Sequence, residues 1–283
     1  MQLMASPETM VADRLITTPC LINDLPSGSY HSAPGVSASN LKAFRRTPAH
    51  YVASLSNRKE TPALRLGSLF HTATLEPDVF EKTVVVSEKF DRRTTVGKAM
   101  AADFEERNTG KTIIDSVELE TVQGMAKSIR EHKEARKRLG LPGKSEVSAF
   151  VKHEETGLLL RSRFDWLPDE GDAIVDLKST EDASASEFMR TLVNYRYYVQ
   201  AAYYIDNARR AGREINRFIF IVAEKSEPFA VAVYELGQDA IQKGREEYQA
   251  QLSLFAECVE FDSWPAYSAQ LEPITLPEWA FNK

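Results

Sequence analysis

From Lys144 onward the apolar pattern takes a period of two, and this constrains the fold more than any other feature of the chain. "SEVSAFVKH", "GLLLRSRFDWLP" and "AIVDLKST" read as three consecutive strands. "EETG" and "DEGD" between them are turn sequences, so the strands run as an antiparallel meander. Upstream, "SASNLKAFRRTPAHYVASL", "ALRLGSLFHTATLEP", "GKAMAADFEERN" and a long segment from Val117 to Leu139 have helical spacing. Downstream come one helix over "SASEFMRTLVNYRYYVQAAYYIDNARRAG", the strands "RFIFIVAEK" and "FAVAVYEL", and a helix from Asp239 to Phe255. This order predicts an α/β chain whose central mixed sheet, with its antiparallel meander, is flanked by helices. Residues 1–28, with Pro7, Pro19 and Pro26 and no clear period, read as a poorly ordered arm, and 29–283 as a single domain.

The third strand carries Asp176 and Lys178 inside an apolar run. Side chains alternate along a strand, so both project to one side and Val175 and Leu177 to the other. Charges leave water at a high cost unless they are paired or hold a metal, so either a structural ion pair or a catalytic site explains them. Hydrolysis of a phosphodiester with a divalent metal needs hard oxygen ligands and a positive group near the attacking water. Asp165 sits on the preceding strand and Glu146 opens the first, so a tight meander can gather three carboxylates beside Lys178. The alternative for Asp165 is an ion pair with Arg161 or Arg163. Gln200 and Tyr204, four apart, share a helix face immediately after the strand of Lys178. His71, a lone histidine on an apolar helix, is either a core residue or a neutral metal ligand. Gly67, one turn earlier, allows close approach by another backbone.

Composition excludes other chemistries. Cys20 and Cys258 lie far apart with no Cys-x-x-Cys spacing, which argues against a disulfide framework, a zinc site and an iron–sulfur cluster. "RRTTVGKAM" has Arg92 where a phosphate-binding loop needs its first glycine, so no nucleotide cofactor is expected. The start lacks an apolar signal core and no eighteen apolar residues run together, so no membrane association and a cytoplasmic location are expected. Net charge is −6, yet basic residues cluster from Lys42 to Arg65 (with Arg45, Arg46, Arg58 and Lys59), at Arg92, Arg93 and Lys98, and from Lys127 to Lys144. Each cluster is either a solvated face or part of a groove for a phosphate backbone.

Gly-x-x-x-His on an early helix, then Glu, Asp and Asp-x-Lys on successive strands, then Gln-x-x-x-Tyr on a helix, resembles the RecB-like branch of the PD-(D/E)xK nucleases. "YHSAPGVSASNLKAFRRTPAHY", "LGSLFHTATLEPDVFEK", "FDRRTTVGK", "VDLKSTED", "YRYYVQAAYY" and "WPAYSAQLEPITLPEWA" resemble the exonuclease VIII (RecE) type in particular, from Tyr30 to Ala280. One departure is Phe164, which stands where the superfamily has proline. The resemblance implies a restriction-endonuclease-like core and a Mg²⁺-dependent (or Mn²⁺-dependent) exonuclease acting on linear double-stranded DNA. It implies 5′ to 3′ degradation of one strand, a 3′ tail handed to a single-strand annealing protein, and a ring-like homotetramer. His71, Asp165, Asp176 and the backbone carbonyl of Leu177 would hold metal. Lys178 would orient or activate the water, with Glu146, Gln200 and Tyr204 completing the catalytic group. Arg45, Arg46, Arg92, Arg93 and Lys98 would face DNA. The alternatives are a nuclease of endonucleolytic specificity and a DNA-end-binding recombination factor that keeps the fold without cleaving.

Overall fold

The computed structural model describes residues 8–11, 14–56 and 61–281; Arg58 and Lys59 of the first basic cluster lie outside them. Strands β1 (Glu8–Val11) and β2 (Arg14–Thr17) pair antiparallel, and β3 (Cys20–Ile22) follows. Then come α1 (Ser27–Ser32), α2 (Ala38–Phe44), α3 (Pro48–Ser56), α4 (Pro62–Leu75) and α5 (Pro77–Thr83). A small parallel pair, β4 (Val84–Val86) and β5 (Thr112–Ile114), encloses α6 (Thr95–Arg107). Helices α7 (Ser116–Glu131) and α8 (Lys133–Leu139) precede the meander of β6 (Gly143–Lys152), β7 (Leu159–Pro168) and β8 (Ala173–Thr180). Next come α9 (Ala185–Asn194), α10 (Tyr197–Arg210), β9 (Arg217–Glu224), β10 (Val231–Glu235) and α11 (Gln238–Glu260), followed by a short 3-10 turn at Glu278–Ala280.

The central sheet has the order β10-β9-β8-β7-β6-β3. β6, β7 and β8 form the antiparallel meander, whereas β9 lies parallel to β8. A parallel neighbour requires a crossover, and α9 with α10 supplies it. The sheet is therefore mixed and covered on both faces, as the sequence predicts. On one face Ile174, Phe218, Phe220 and Val222 pack with Leu41, Val199, Tyr203, Tyr248 and Phe255 from α2, α10 and α11. On the other, Val175, Leu177, Ile219 and Ile221 pack with Phe70 of α4 and Met125 and Ile129 of α7. Burial on both faces is why β8 is apolar nearly throughout, and why its two charges stand out.

Several elements differ from the sequence expectation. The presumed arm carries the β1–β2 hairpin, and its residues 20–22 are an edge strand paired with β6 through Cys20↔Phe150 and Ile22↔Ser148, with Leu25 buried; the small β4–β5 pair was not expected either. The segment from Val117 to Leu139 is two helices, because the extended backbone of His132 ends α7 and its ring accepts from Ala135 N to cap α8. The long aromatic segment is also two helices, α9 and α10, separated by Arg196 in the left-handed region at φ 58°. Cys20 and Cys258 are unbridged.

Helices α10 and α11 approach closely at Gly244, where an added Cβ would meet the Tyr198 carbonyl oxygen at 2.3 Å. Gly244→Ala must push α10, which carries Gln200 and Tyr204, off its seat. We expect a loss of about 1–3 kcal/mol, read as a lower urea midpoint. An unchanged midpoint would show that α11 yields without cost.

Candidate active site

The meander gathers charge where its ladder is interrupted. Regular pairs Ser145↔Trp166 and Val147↔Phe164 flank Glu146, which adopts φ 53°. Phe164 and Trp166, two apart, pack into opposite cores, so simple alternation fails at Asp165 between them. A left-handed residue other than glycine is strained, and such positions concentrate at functional sites. The result is that Glu146 and Asp165 turn toward α4, where His71 lies one helical turn beyond Gly67.

His71 Nδ1 is 3.5 Å from Asp165 Oδ2 and 4.0 Å from Glu146 Oε1. One ligand atom from each of these three side chains falls within 4.8 Å of the others. On its far edge, His71 Nε2 is 3.1 Å from the Leu177 carbonyl, an acceptor only, so Nε2 carries the proton and donates it. That leaves the Nδ1 lone pair facing the carboxylates. A histidine whose second nitrogen donates to a backbone carbonyl is oriented as metal ligands commonly are. Burial lowers the His71 pKa against the opposing pull of Glu146, so the ring is neutral at neutral pH, the form that binds metal. Asp165 Oδ2 also accepts from Leu177 N at 2.7 Å, which ties β7 to β8 at the site.

Asp176 is held differently. Its carboxylate pairs with Lys178 through Oδ2 and accepts from Gln200 Nε2 through Oδ1 at 3.1 Å. Lys178 Nζ also lies 4.6 Å from the centre of the Tyr197 ring. Tyr204 packs edge-on against Phe164 and interacts with Gln200, and burial holds its hydroxyl protonated well above the usual phenol range. The structure thus brings His71, Glu146 and Asp165 into one cluster, with Asp176, Lys178, Gln200 and Tyr204 adjoining it. Asp176 is outside the group of three donors, and the Leu177 carbonyl, expected to face a metal, accepts from His71 with one of its two lone pairs. Arg163 pairs with Glu146, and Arg161 donates to the carbonyls of Tyr30, His31 and Ala33, so neither of the expected Asp165 ion pairs forms among the described residues. Among the described residues, none beyond its own helix comes within 4 Å of the missing Cβ of Gly67, so the close approach expected there is not made by them.

Three adjoining cavities surround these groups. One of about 270 Å³ is lined by His71, Glu146, Asp165, Arg161, Arg163 and Tyr204 among others. One of about 750 Å³ reaches His71 and Lys178 from the other side, past Gly67. A third of about 150 Å³ lies over Gln200 and Tyr204. Arg45, Arg46, Arg92, Arg93 and Lys98 line none of the three. Arg92 pairs with Glu105, Arg93 with Asp91, and Arg46 donates to Tyr267. The cations that do line the cavities include Lys42, Arg161 and Arg163. Sequence reading placed the two arginines only as partners of Asp165, and Lys42 was submerged in a cluster counted by density.

Burial raises the Asp165 pKa to about 7 and that of Asp176 to about 6, in each case against the attraction of Lys178. The two groups bind protons more tightly folded than unfolded, so their contribution to stability is present at low pH and is lost as pH rises through about 6 and 7. In EDTA, the fall in urea midpoint from pH 5 to pH 8 is expected to be larger for the parent than for Asp165→Asn. Equal falls would contradict the buried carboxylate. For Lys178, burial disfavours the ammonium, but Asp176 and Asp165 together outweigh it, so the side chain stays charged.

A mixed sheet with helices on both faces, and acidic residues with a lysine at a break in its meander, define the PD-(D/E)xK class. The family described as "PDDEXK-like domain of unknown function (DUF3799)" matches residues 37–277, and the chain belongs to it. A solved structure described as "Putative exonuclease" from Eubacterium rectale superposes with a TM-score of 0.58 at 15% identity, covering 89% of this chain and 96% of that one. At this identity the likeness is one of fold. A second solved structure, described as SSO0001, gives a TM-score of 0.29 at 12% identity over 67% of this chain and 86% of that one. No curated protein matches the chain. No helix among the described residues is long and apolar enough to cross a membrane.

Proposed function

We propose that the protein is a divalent-metal-dependent exodeoxyribonuclease that degrades one strand of linear duplex DNA. The observation that carries this is the convergence of His71, Glu146 and Asp165 within 4.8 Å beside a charged, half-buried Lys178. The two carboxylates are hard oxygen donors suited to Mg²⁺ or Mn²⁺, and the neutral imidazole can join them as a third ligand. The residues fit the ion, with His71 Nδ1, Glu146 and Asp165 as its holders and Asp176 next to them. When bound, the ion supplies charge that stabilises the developing negative charge on a scissile phosphate. Lys178 holds its ammonium at the site through Asp176, and it donates to the phosphate or to the attacking water. Gln200 fixes the second oxygen of Asp176, and Tyr204 supports Gln200. The Eubacterium rectale protein that shares the fold is described as a "Putative exonuclease", which supports action from an end.

By resemblance to the exonuclease VIII type, the proposal extends to 5′ to 3′ polarity, a 3′ tail used in recombination by strand annealing, and a ring-like oligomer built from residues 29–283 as one unit. A time course on linear duplex labelled at either the 5′ or the 3′ end, with a closed circular duplex beside it, tests the reading. Early release of the 5′ label as mononucleotide in Mg²⁺ but not in EDTA, with the circle intact, is the expected result. Nicking of the circle would instead mark an endonuclease, and shifted but intact DNA a binding factor.

A further inference from the structure

The break between α9 and α10 lies at the site's mouth and arranges two tyrosines that a continuous helix would keep apart. Residues i and i+2 do not face each other on a helix. With Arg196 at φ 58°, the rings of Tyr195 and Tyr197 stack with centroids 5.7 Å apart and planes at 17°. Arg196 is locked by an ion pair with Glu247 of α11, which also accepts from Tyr198 Oη at 3.0 Å, so the strained turn is held from outside. Tyr197 carries the Lys178 ammonium on its face, at 4.6 Å. Tyr195 carries the Lys42 ammonium in the same way, at 4.7 Å. Tyr195 is nonetheless 54% exposed, and Lys42 has no carboxylate partner among the described residues. Both line the cavity of about 750 Å³ that reaches His71 and Lys178. An exposed ring fixed to the rest of the site, with an uncommitted cation over it, matches the two chemistries of a nucleotide: a flat base and an anionic phosphate.

We propose that Tyr195 and Lys42 form a nucleotide subsite next to the scissile position, in which the ring stacks on a base of the strand being degraded and Lys42 binds the phosphate attached to it. This rests on the nuclease reading and adds to it a site for the neighbouring nucleotide. Lys42 leaves the ring for the phosphate, and the base takes its place over Tyr195. The Tyr195–Tyr197 stack then couples occupancy of this subsite to the position of Lys178.

Binding of a fluorescent linear duplex with an unpaired three-nucleotide 5′ extension, in Ca²⁺ to support binding without turnover, provides the test. Each extension nucleotide is intact or abasic in turn. Tyr195→Ala is expected to weaken binding about tenfold, as loss of one stacked base does, and Tyr195→Phe to bind like the parent. The effect of Tyr195→Ala should vanish at one abasic position and persist at the others. Lys42→Ala should weaken binding to all the duplexes and lower the salt slope by about one. Undiminished affinity for Tyr195→Ala, or the same loss at every abasic position, overturns the subsite. If the parent still cleaves the duplex in Mg²⁺ in that case, the nuclease reading stands; if the parent neither binds nor cleaves, both fall.

Discussion

Asp165→Asn is expected to slow DNA cleavage by on the order of 10³-fold and yet to unfold at a higher temperature than the parent in EDTA at pH 8. The activity loss follows from removing one of three metal-facing donors. The stability gain follows from burial. Asp165 is 8% exposed and its pKa is lifted to about 7, so at pH 8 it is ionised at a cost, with Glu146 adding repulsion. Asparagine keeps the shape and can still accept from Leu177 N, which Asp165 accepts at 2.7 Å, while removing the charge. Each kcal/mol recovered raises the melting temperature by about 2–4 °C in chains of this size. Saturating Mg²⁺ should stabilise the parent and not the variant, reversing their order. Paired melting curves in EDTA and in Mg²⁺ check this, and a variant less stable than the parent in EDTA would contradict it.

Lys178→Met is expected to abolish cleavage to a similar extent with the opposite effect on stability. Half-buried Lys178 pairs with Asp176, which is 1% exposed. Methionine fills most of the lysine stem but leaves the Asp176 carboxylate with Gln200 alone. Breaking a buried pair from one side costs about 3–5 kcal/mol at a pH where the remaining group is ionised. That loss should shrink below the Asp176 pKa of about 6, where the carboxyl takes up a proton. The double variant Lys178→Met/Asp176→Asn removes both charges and keeps an oxygen for Gln200, so most of the stability should return while activity stays absent. Urea unfolding of the three proteins at pH 5 and pH 8 measures these differences. A double variant as unstable as the single one would mean that the pair is not what holds β8 against α10.

The sheet was legible because the meander strands are short apolar runs bounded by turn sequences, which leave one short-range pairing. Asp176 and Lys178 were legible for the same reason, as charges inside an apolar strand. Their partners were less so. Glu146 and Asp165 face His71 only because Glu146 takes a left-handed conformation, and no local preference of glutamate announces that. Arg196 hid the helix break in the same way: arginine is a good helix former, and the pair with Glu247, 51 residues away, overrides it. β3 was missed because three residues carry too little pattern to mark an edge strand. Counting basic residues favoured Arg92 and Arg93, whose acids lie close in sequence at Glu105 and Asp91. Lys42 was indistinguishable by density from its neighbours, and only its position over Tyr195 separates it. In each case the missing information was a long-range contact or a strained backbone, and these fall at the site.

The central claim is that His71, Glu146 and Asp165 hold one divalent cation beside Lys178. Crystals grown with Mn²⁺, measured at the manganese absorption edge, test it most directly. The expected result is an anomalous peak about 2.0–2.3 Å from His71 Nδ1 and from one oxygen each of Glu146 and Asp165, lost in Asp165→Asn. A peak bound elsewhere, or none at saturating Mn²⁺, would contradict it.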